Sequence, residues 1–135
     1  MSLRRIIKIK EGIKEARARE LKEVEMQISM LRKEVERIEV LQEEVNRSIK
    51  TSFSEGLLLQ YRSLHSQKRE LLERITRLEV TKEEKRKRLK EAYRDLKALE
   101  LLRDMRRREE RSRFANLEAQ KSSFLHLIKK WRKNA

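Results

Sequence analysis

From Leu21 onward, apolar residues return at alternating spacings of three and four. They are Leu21, Val24, Ile28, Leu31, Val35 and Ile38, then the polar Gln42, then Val45 and Ile49. A mean spacing near 3.5 keeps one stripe of a helix turned toward a partner helix, so the pattern predicts a coiled-coil seam. Upstream, Ile6, Ile9, Ile13 and Ala16 make a second stripe in a shifted phase. A local change of supercoil near Arg19 to Leu21 would absorb that shift. Gly12 lies inside the pattern and is expected to weaken it by about 1 kcal/mol relative to alanine.

The rhythm stops at Thr51-Ser-Phe-Ser-Glu-Gly56, the one turn-like cluster in the chain. Ser52 precedes Glu55 by three residues, the spacing of a capping box, which predicts a new helix starting between Ser52 and Gly56. The seam then resumes with Leu57, Tyr61, Leu64, Lys68, Leu71, Ile75 and Leu78. It continues through Lys82 and Lys85 to Leu89, Ala92, Leu96 and Leu99. The phase is expected to slip around Leu102 and Met105. A last stripe follows, Phe114, Leu117, Phe124, Ile128 and Trp131, interrupted by Lys121.

Two seams joined by a short turn predict an all-α fold, two long helices in an antiparallel coiled-coil hairpin. The expected layout is one elongated domain over 1–135, with arm one at about 3–50, a turn at about 51–56 and arm two at about 57–131. A turn centred near Phe53 places residue i opposite roughly residue 106 − i, because both helices rise equally per residue. Ile28 then faces Leu78, Ile38 faces the region of Lys68, and Ala16 faces about Lys90. The N-terminus comes level with Leu102 or Arg103, so the longer second helix overhangs. Each paired arm would be about 70 Å long at 1.5 Å per residue.

Composition supports helix and narrows the chemistry. Of the 135 residues 44% are charged, there is no proline or cysteine, and the only glycines are Gly12 and Gly56. Zero cysteines exclude disulfides, thiolate catalysis and cysteine-based zinc sites. No apolar run approaches the roughly 18 residues that span a bilayer, and the N-terminal dozen lacks a signal-peptide core, so a cytoplasmic protein is expected. His65 and His126 are far apart in sequence and read as flank or surface residues, since metal sites need clustered ligands. Ser52, Ser122 and Ser123 have no neighbouring base, and there is no glycine-rich phosphate loop. The reading is therefore not an enzyme, with no catalytic residues, no metal and no cofactor.

The net charge is +14. Residues 103–135 hold eleven Lys or Arg against four Asp or Glu, so +7 of it lies in the last quarter. Arg4, Arg5, Lys8 and Lys10 add to the same end of the predicted hairpin. Charge alone suits nucleic acid, an anionic membrane face or an acidic protein. An overhang would leave the Phe114 to Trp131 stripe as an unpaired apolar face, a place for a partner helix, a groove or self-association. A shifted hairpin register would instead make it a seam for the N-terminal segment.

The order and lengths of these parts resemble the FliJ family, small coiled-coil proteins of the bacterial flagellar type III export apparatus. The shared layout is a first arm of about fifty residues, a short polar break with a glycine, LQYRSLHSQKRELLERI straight after it, and a longer basic second arm. The resemblance implies a two-helix stalk like that of rotary ATPases. Its termini end would meet the hexameric export ATPase, here through Arg4, Arg5, Lys8, Lys10, Arg103, Arg106, Arg107 and Arg108. It implies a contact with the cytoplasmic domain of the membrane export gate, mapping onto Tyr61, Leu64, Lys68, Leu71 and Ile75, although Lys68 stands where the family carries an apolar residue. It further implies recycling of export chaperones and a cytoplasmic place at the membrane-facing flagellar base. The stalk protein of a virulence type III secretion system is an alternative in the same class. A nucleic-acid-binding coiled coil is an alternative in another, although no recognised nucleic-acid motif is present and no specific nucleic acid is expected. A structural homodimer joined through the overhang is a third.

Overall fold

The computed structural model describes residues 2–134. It contains two α-helices, α1 (Leu3–Thr51, 49 residues) and α2 (Glu55–Asn134, 80 residues), packed antiparallel with the second longer than the first. The all-α hairpin read from the heptads is thus the observed fold. The chain divides into two compact units, Met1–Glu11 with Arg94–Ala135, and Gly12–Tyr93. Each contains a stretch of both helices.

The unit Gly12–Tyr93 holds the main core. Val24, Ile28, Val35 and Ile75 are buried together, with Leu31, Leu71 and Leu78 packed against them. Toward the turn, Ile38, Val45 and Leu64 form a second cluster with Leu41, Ile49, Leu57, Tyr61 and Leu71. Removing each such side chain from water contributes about 1.5–3 kcal/mol. Ile38, 1% exposed, is the most completely covered large side chain among the described residues.

The observed register agrees with the one expected from the turn position. Within this unit, residue numbers of cross-helix partners add to 105 for Glu20 and Lys85, and to 107 for Glu39 with Lys68 and Lys14 with Tyr93. In that register every polar seam residue lies opposite an apolar one. Lys68 faces Ile38, Lys82 faces Val24, Lys85 faces Leu21, Gln42 faces Leu64, Lys14 faces Ala92 and Arg17 faces Leu89. A lysine at such a position lays its stem along the seam and carries its charge out to the flank. The flank is ready for it. Lys68 reaches Glu39 at 3.3 Å and Lys85 reaches Glu20 at 3.2 Å, each acid being next to the apolar residue that the lysine faces. Lys14 lies over the Tyr93 ring, 5.2 Å from its centre, beside Ala92. The hydrogen bond from Lys85, helped by Arg17, holds the Glu20 carboxyl below the usual glutamate range. Its folded pKa is depressed, so its stabilising contribution is present at neutral pH and is lost as pH falls through the carboxylate range.

Two expectations need correction here. Ile9 and Ile13 are exposed rather than part of a shifted stripe. The seam keeps its phase back to the N-terminus through Arg17, Lys14, Lys10 and the buried Ile7. Nor is the α2 cap built on Ser52. Thr51 still belongs to α1, and the Ser52 amide donates to the Ser48 carbonyl at 2.9 Å. The cap is Ser54, whose hydroxyl accepts from the Leu57 amide at 3.1 Å while its carbonyl accepts from Leu58. Gly56 has no positive φ and is an ordinary first-turn helical residue, so the turn does not depend on glycine. Ser54→Ala is expected to cost about 1 kcal/mol in urea unfolding, and Ser52→Ala close to nothing. Equal effects at the two serines would contradict this assignment. Gly12, in mid-helix, has nothing within 4 Å of where a Cβ would stand, so it is a weak point of α1 without a packing reason.

In the unit formed by the N-terminal turns of α1 and the second half of α2, Ile7 and Leu96 are buried. Lys10 faces Leu96 and pairs with the adjacent Asp95 at 3.7 Å, the same rule as in the larger unit.

Candidate interaction surfaces

The basic residues of this end do not all stand alike. Arg4, Arg5 and Lys8 are exposed on α1, and Arg106, Arg107 and Arg108 on α2. Lys10 is half-buried and already engaged by Asp95. Arg103 is half-buried at a seam position, with Asp104 3.4 Å away. The structure brings three of them together, because Arg4, Arg103 and Arg107 line one concavity with Ile7.

This convergence follows from the register. In the larger unit Arg32 pairs with Glu79 across the hairpin at 2.6 Å. Those residue numbers add to 111, and so do those of Arg4 and Arg107. The slot that holds an arginine and a carboxylate in one unit holds two arginines in the other. Arg103 and Arg107 are also four apart on one helix, a second like-charge spacing. The site is a cationic notch with an apolar floor, in which Asp104 meets Arg103 alone while Arg4 and Arg107 make no ion pair among the described residues, and it is suited to a carboxylate or another anion supplied from outside.

The five residues expected to face an export gate lie elsewhere. Leu64 and Ile75 are buried, and Tyr61, Lys68 and Leu71 are half-buried. Leu64, Leu71, Ile75 and Tyr61 pack in the two core clusters, and Lys68 is tied to Glu39. The hairpin itself uses these side chains, so only their outer edges are open to a partner. A more accessible apolar feature of the same unit is a shallow groove lined by Gln27, Met30, Leu31, Arg74, Arg77 and Leu78. Exposed Met30 forms its lip. The sequence held a signal for it, an apolar residue off the seam one place before Leu31, but heptad reading discounts such residues.

Beyond Arg103, α2 continues as an unbroken helix to Asn134, and nearly all its side chains are exposed. Phe114, Leu117, Phe124 and Trp131 are exposed, and Ile128 is half-buried. Leu117, Phe124 and Trp131 fall at whole multiples of seven after the buried Leu96, whereas Phe114 and Ile128 stand one position past the line that continues from Leu99, so only one of the two seam lines slips. Leu102 and Met105 are exposed residues off that line.

Among the described residues no group of three or more His, Cys, Asp or Glu could hold a metal ion, and no helix is long and apolar enough to cross a membrane. No family model, no curated protein and no solved structure matches this chain.

Proposed function

We propose that this chain is a non-catalytic stalk of a bacterial type III export apparatus that binds a hexameric export ATPase through its basic end. The observation that carries the reading is the notch of Arg4, Arg103 and Arg107, placed where the hairpin's own ion-pair slot lacks its acid. An acidic ring or sleeve supplies the missing carboxylates and draws the basic end in by long-range attraction. The antiparallel pairing of two long helices and the resemblance to the FliJ layout support the same role. In this role the chain also links the ring to the cytoplasmic domain of the export gate, hands on empty export chaperones, and works in the cytoplasm at the membrane-facing base of the flagellum. The stalk of a virulence secretion system has the same mechanism.

The test is co-sedimentation of the full chain with the purified hexameric ATPase, together with the rate of ATP hydrolysis. The expected result is a stoichiometric complex and faster hydrolysis at about 150 mM salt, where exposed charges beyond roughly 8 Å are screened. A chain that leaves both sedimentation and hydrolysis unchanged would refute the proposal. Equal or tighter binding to DNA or RNA at the same salt would favour the nucleic-acid reading instead.

A further inference from the structure

We propose that the last turns of α2, Phe124 to Lys133, dock in the interface of an anionic lipid bilayer. The first observation is the width of the apolar face. Projected at 100° per residue, Phe124, Leu125, Leu127, Ile128 and Trp131 cover an arc of about 160°. A coiled-coil seam is narrower, and the paired part of α2 shows it: its buried residues fall on two heptad positions only. Here Ile128 and then Leu125 widen the stripe on one side. A single partner helix would cover Phe124, Leu127 and Trp131 and leave Leu125 in water, whereas a lipid surface takes the whole arc.

The second observation is charge. After Glu118 the chain has no acidic residue. Lys129, Lys130 and Lys133 hold the face opposite the apolar arc with His126 among them, while Arg132 projects inside the arc between Ile128 and Leu125, where its long stem can lie along the surface and carry the guanidinium out to the headgroups. His126, Lys129, Lys130, Arg132 and Lys133 gather around one surface hollow. A helix that buries Phe, Leu and Trp a few ångströms into the headgroup boundary and turns lysines to the phosphates is the arrangement an anionic interface selects. A second copy of this chain brings the same sign of charge to every flank of the stripe and is disfavoured for that reason.

The third observation is accessibility. Trp131 is 76% exposed, Phe124 63%, Leu127 62% and Leu125 50%, so the hairpin makes no claim on this face. Ten helical residues extend about 15 Å, too short to cross a bilayer and long enough to lie in its surface. The inference is independent of the ATPase reading, which rests on Arg4, Arg103 and Arg107. A chain whose tip a ring encloses cannot reach lipid, so the two surfaces serve in turn.

Trp131 is the only tryptophan, and its emission reports on this segment alone. The full chain is titrated with vesicles of phosphatidylcholine containing about 30% phosphatidylglycerol, and with pure phosphatidylcholine, at about 150 mM salt. The expected result is a blue shift and loss of aqueous quenching with the anionic vesicles, and binding about tenfold or more weaker to the neutral ones. Phe124→Glu and Ile128→Glu should each weaken binding about tenfold while circular dichroism and hairpin melting stay unchanged. Unchanged Trp131 emission at saturating anionic lipid overturns the proposal. So does vesicle binding that leaves Trp131 open to quencher, which is charge attraction without insertion. A blue shift in the protein alone that disappears on dilution overturns it too, in favour of self-association.

Discussion

Ile38→Lys should destabilise the hairpin by about 3–5 kcal/mol, because it puts a charge at the best-covered position and opposite another lysine. Ile38 is 1% exposed and lies across the seam from Lys68. The native layer works because one member is aliphatic. Lys68 lays its stem on Ile38 and delivers its ammonium to Glu39. Two lysines would share that single acid, and one would be held in the seam without a partner. The loss of apolar burial adds about 1.5–3 kcal/mol on its own. Against a typical total stability of about 5–15 kcal/mol, the effect should be plain in urea unfolding followed by circular dichroism. The informative companion is the exchange Ile38→Lys with Lys68→Ile. It restores one aliphatic and one cationic member, so it should recover about half or more of the loss, a coupling within the range seen for contacting residues. If the double variant is no more stable than the simple sum of the two single changes, the one-apolar-per-layer account is wrong.

The same rule explains which parts of the fold the sequence disclosed. The heptads from Leu21 to Ile49 and from Leu57 to Leu99 sit on a countable lattice, and a turn near Phe53 then dictates the opposite residue at every layer. Ile28 against Leu78 follows from that count alone. The N-terminal quarter departs from expectation because apolar residues are a poor guide to phase there. Ile9 and Ile13 are apolar, yet re-phasing the helix to bury them would mean abandoning a continuous supercoil. The seam instead accepts Lys10, Lys14 and Arg17, since Leu96, Ala92 and Leu89 opposite them are apolar and Asp95, Tyr93 and Glu20 stand ready for the charges. A pattern scored one helix at a time cannot see that compensation. The cap escapes sequence reading for a local reason. Ser52 and Ser54 are equivalent by composition, and the run of α1 through Thr51, with the Ser52 amide still bonded back to the Ser48 carbonyl, decides between them.

The candidate sites divide in the same way. The sequence counts eleven basic residues after Leu102 but does not say which are already neutralised. Lys10 is engaged and Arg4 is not, a difference that depends on Asp95 lying beside one and Arg107 beside the other. Of the residues read as a gate surface, Tyr61, Leu64, Leu71 and Ile75 pack in the hairpin core and Lys68 is tied to Glu39, which a family layout does not reveal. The apolar stripe of the overhang is visible as residue types. That Leu117, Phe124 and Trp131 continue the line of Leu96, and that Leu125 and Leu127 join the apolar face, emerge once α2 is a single helix.

Arg107 is where stability and the proposed binding should pull in opposite directions. Arg4 and Arg107 occupy the cross-helix relation that Arg32 and Glu79 use for an ion pair. Arg107→Glu therefore gives Arg4 the acid it lacks. An exposed pair of this kind contributes about 0–1 kcal/mol, so the thermal midpoint should hold or rise slightly. For an acidic partner the same change turns attraction into repulsion. Association with the hexameric ATPase should weaken about tenfold, and by about 100-fold, roughly 2.7 kcal/mol, when Arg106, Arg107 and Arg108 are all changed to Glu. The association rate should fall more than the dissociation rate rises, and the penalty should shrink as salt is added, because steering acts over a screened distance. Arg5→Glu, on the same end but outside the notch, separates geometry from bulk charge. If it weakens binding as much as Arg107→Glu, the ring reads net charge and the notch has no special part. If Arg107→Glu alone lowers the melting temperature, the slot is not the ion-pair position that the register assigns to it, and the argument for an external carboxylate falls with it.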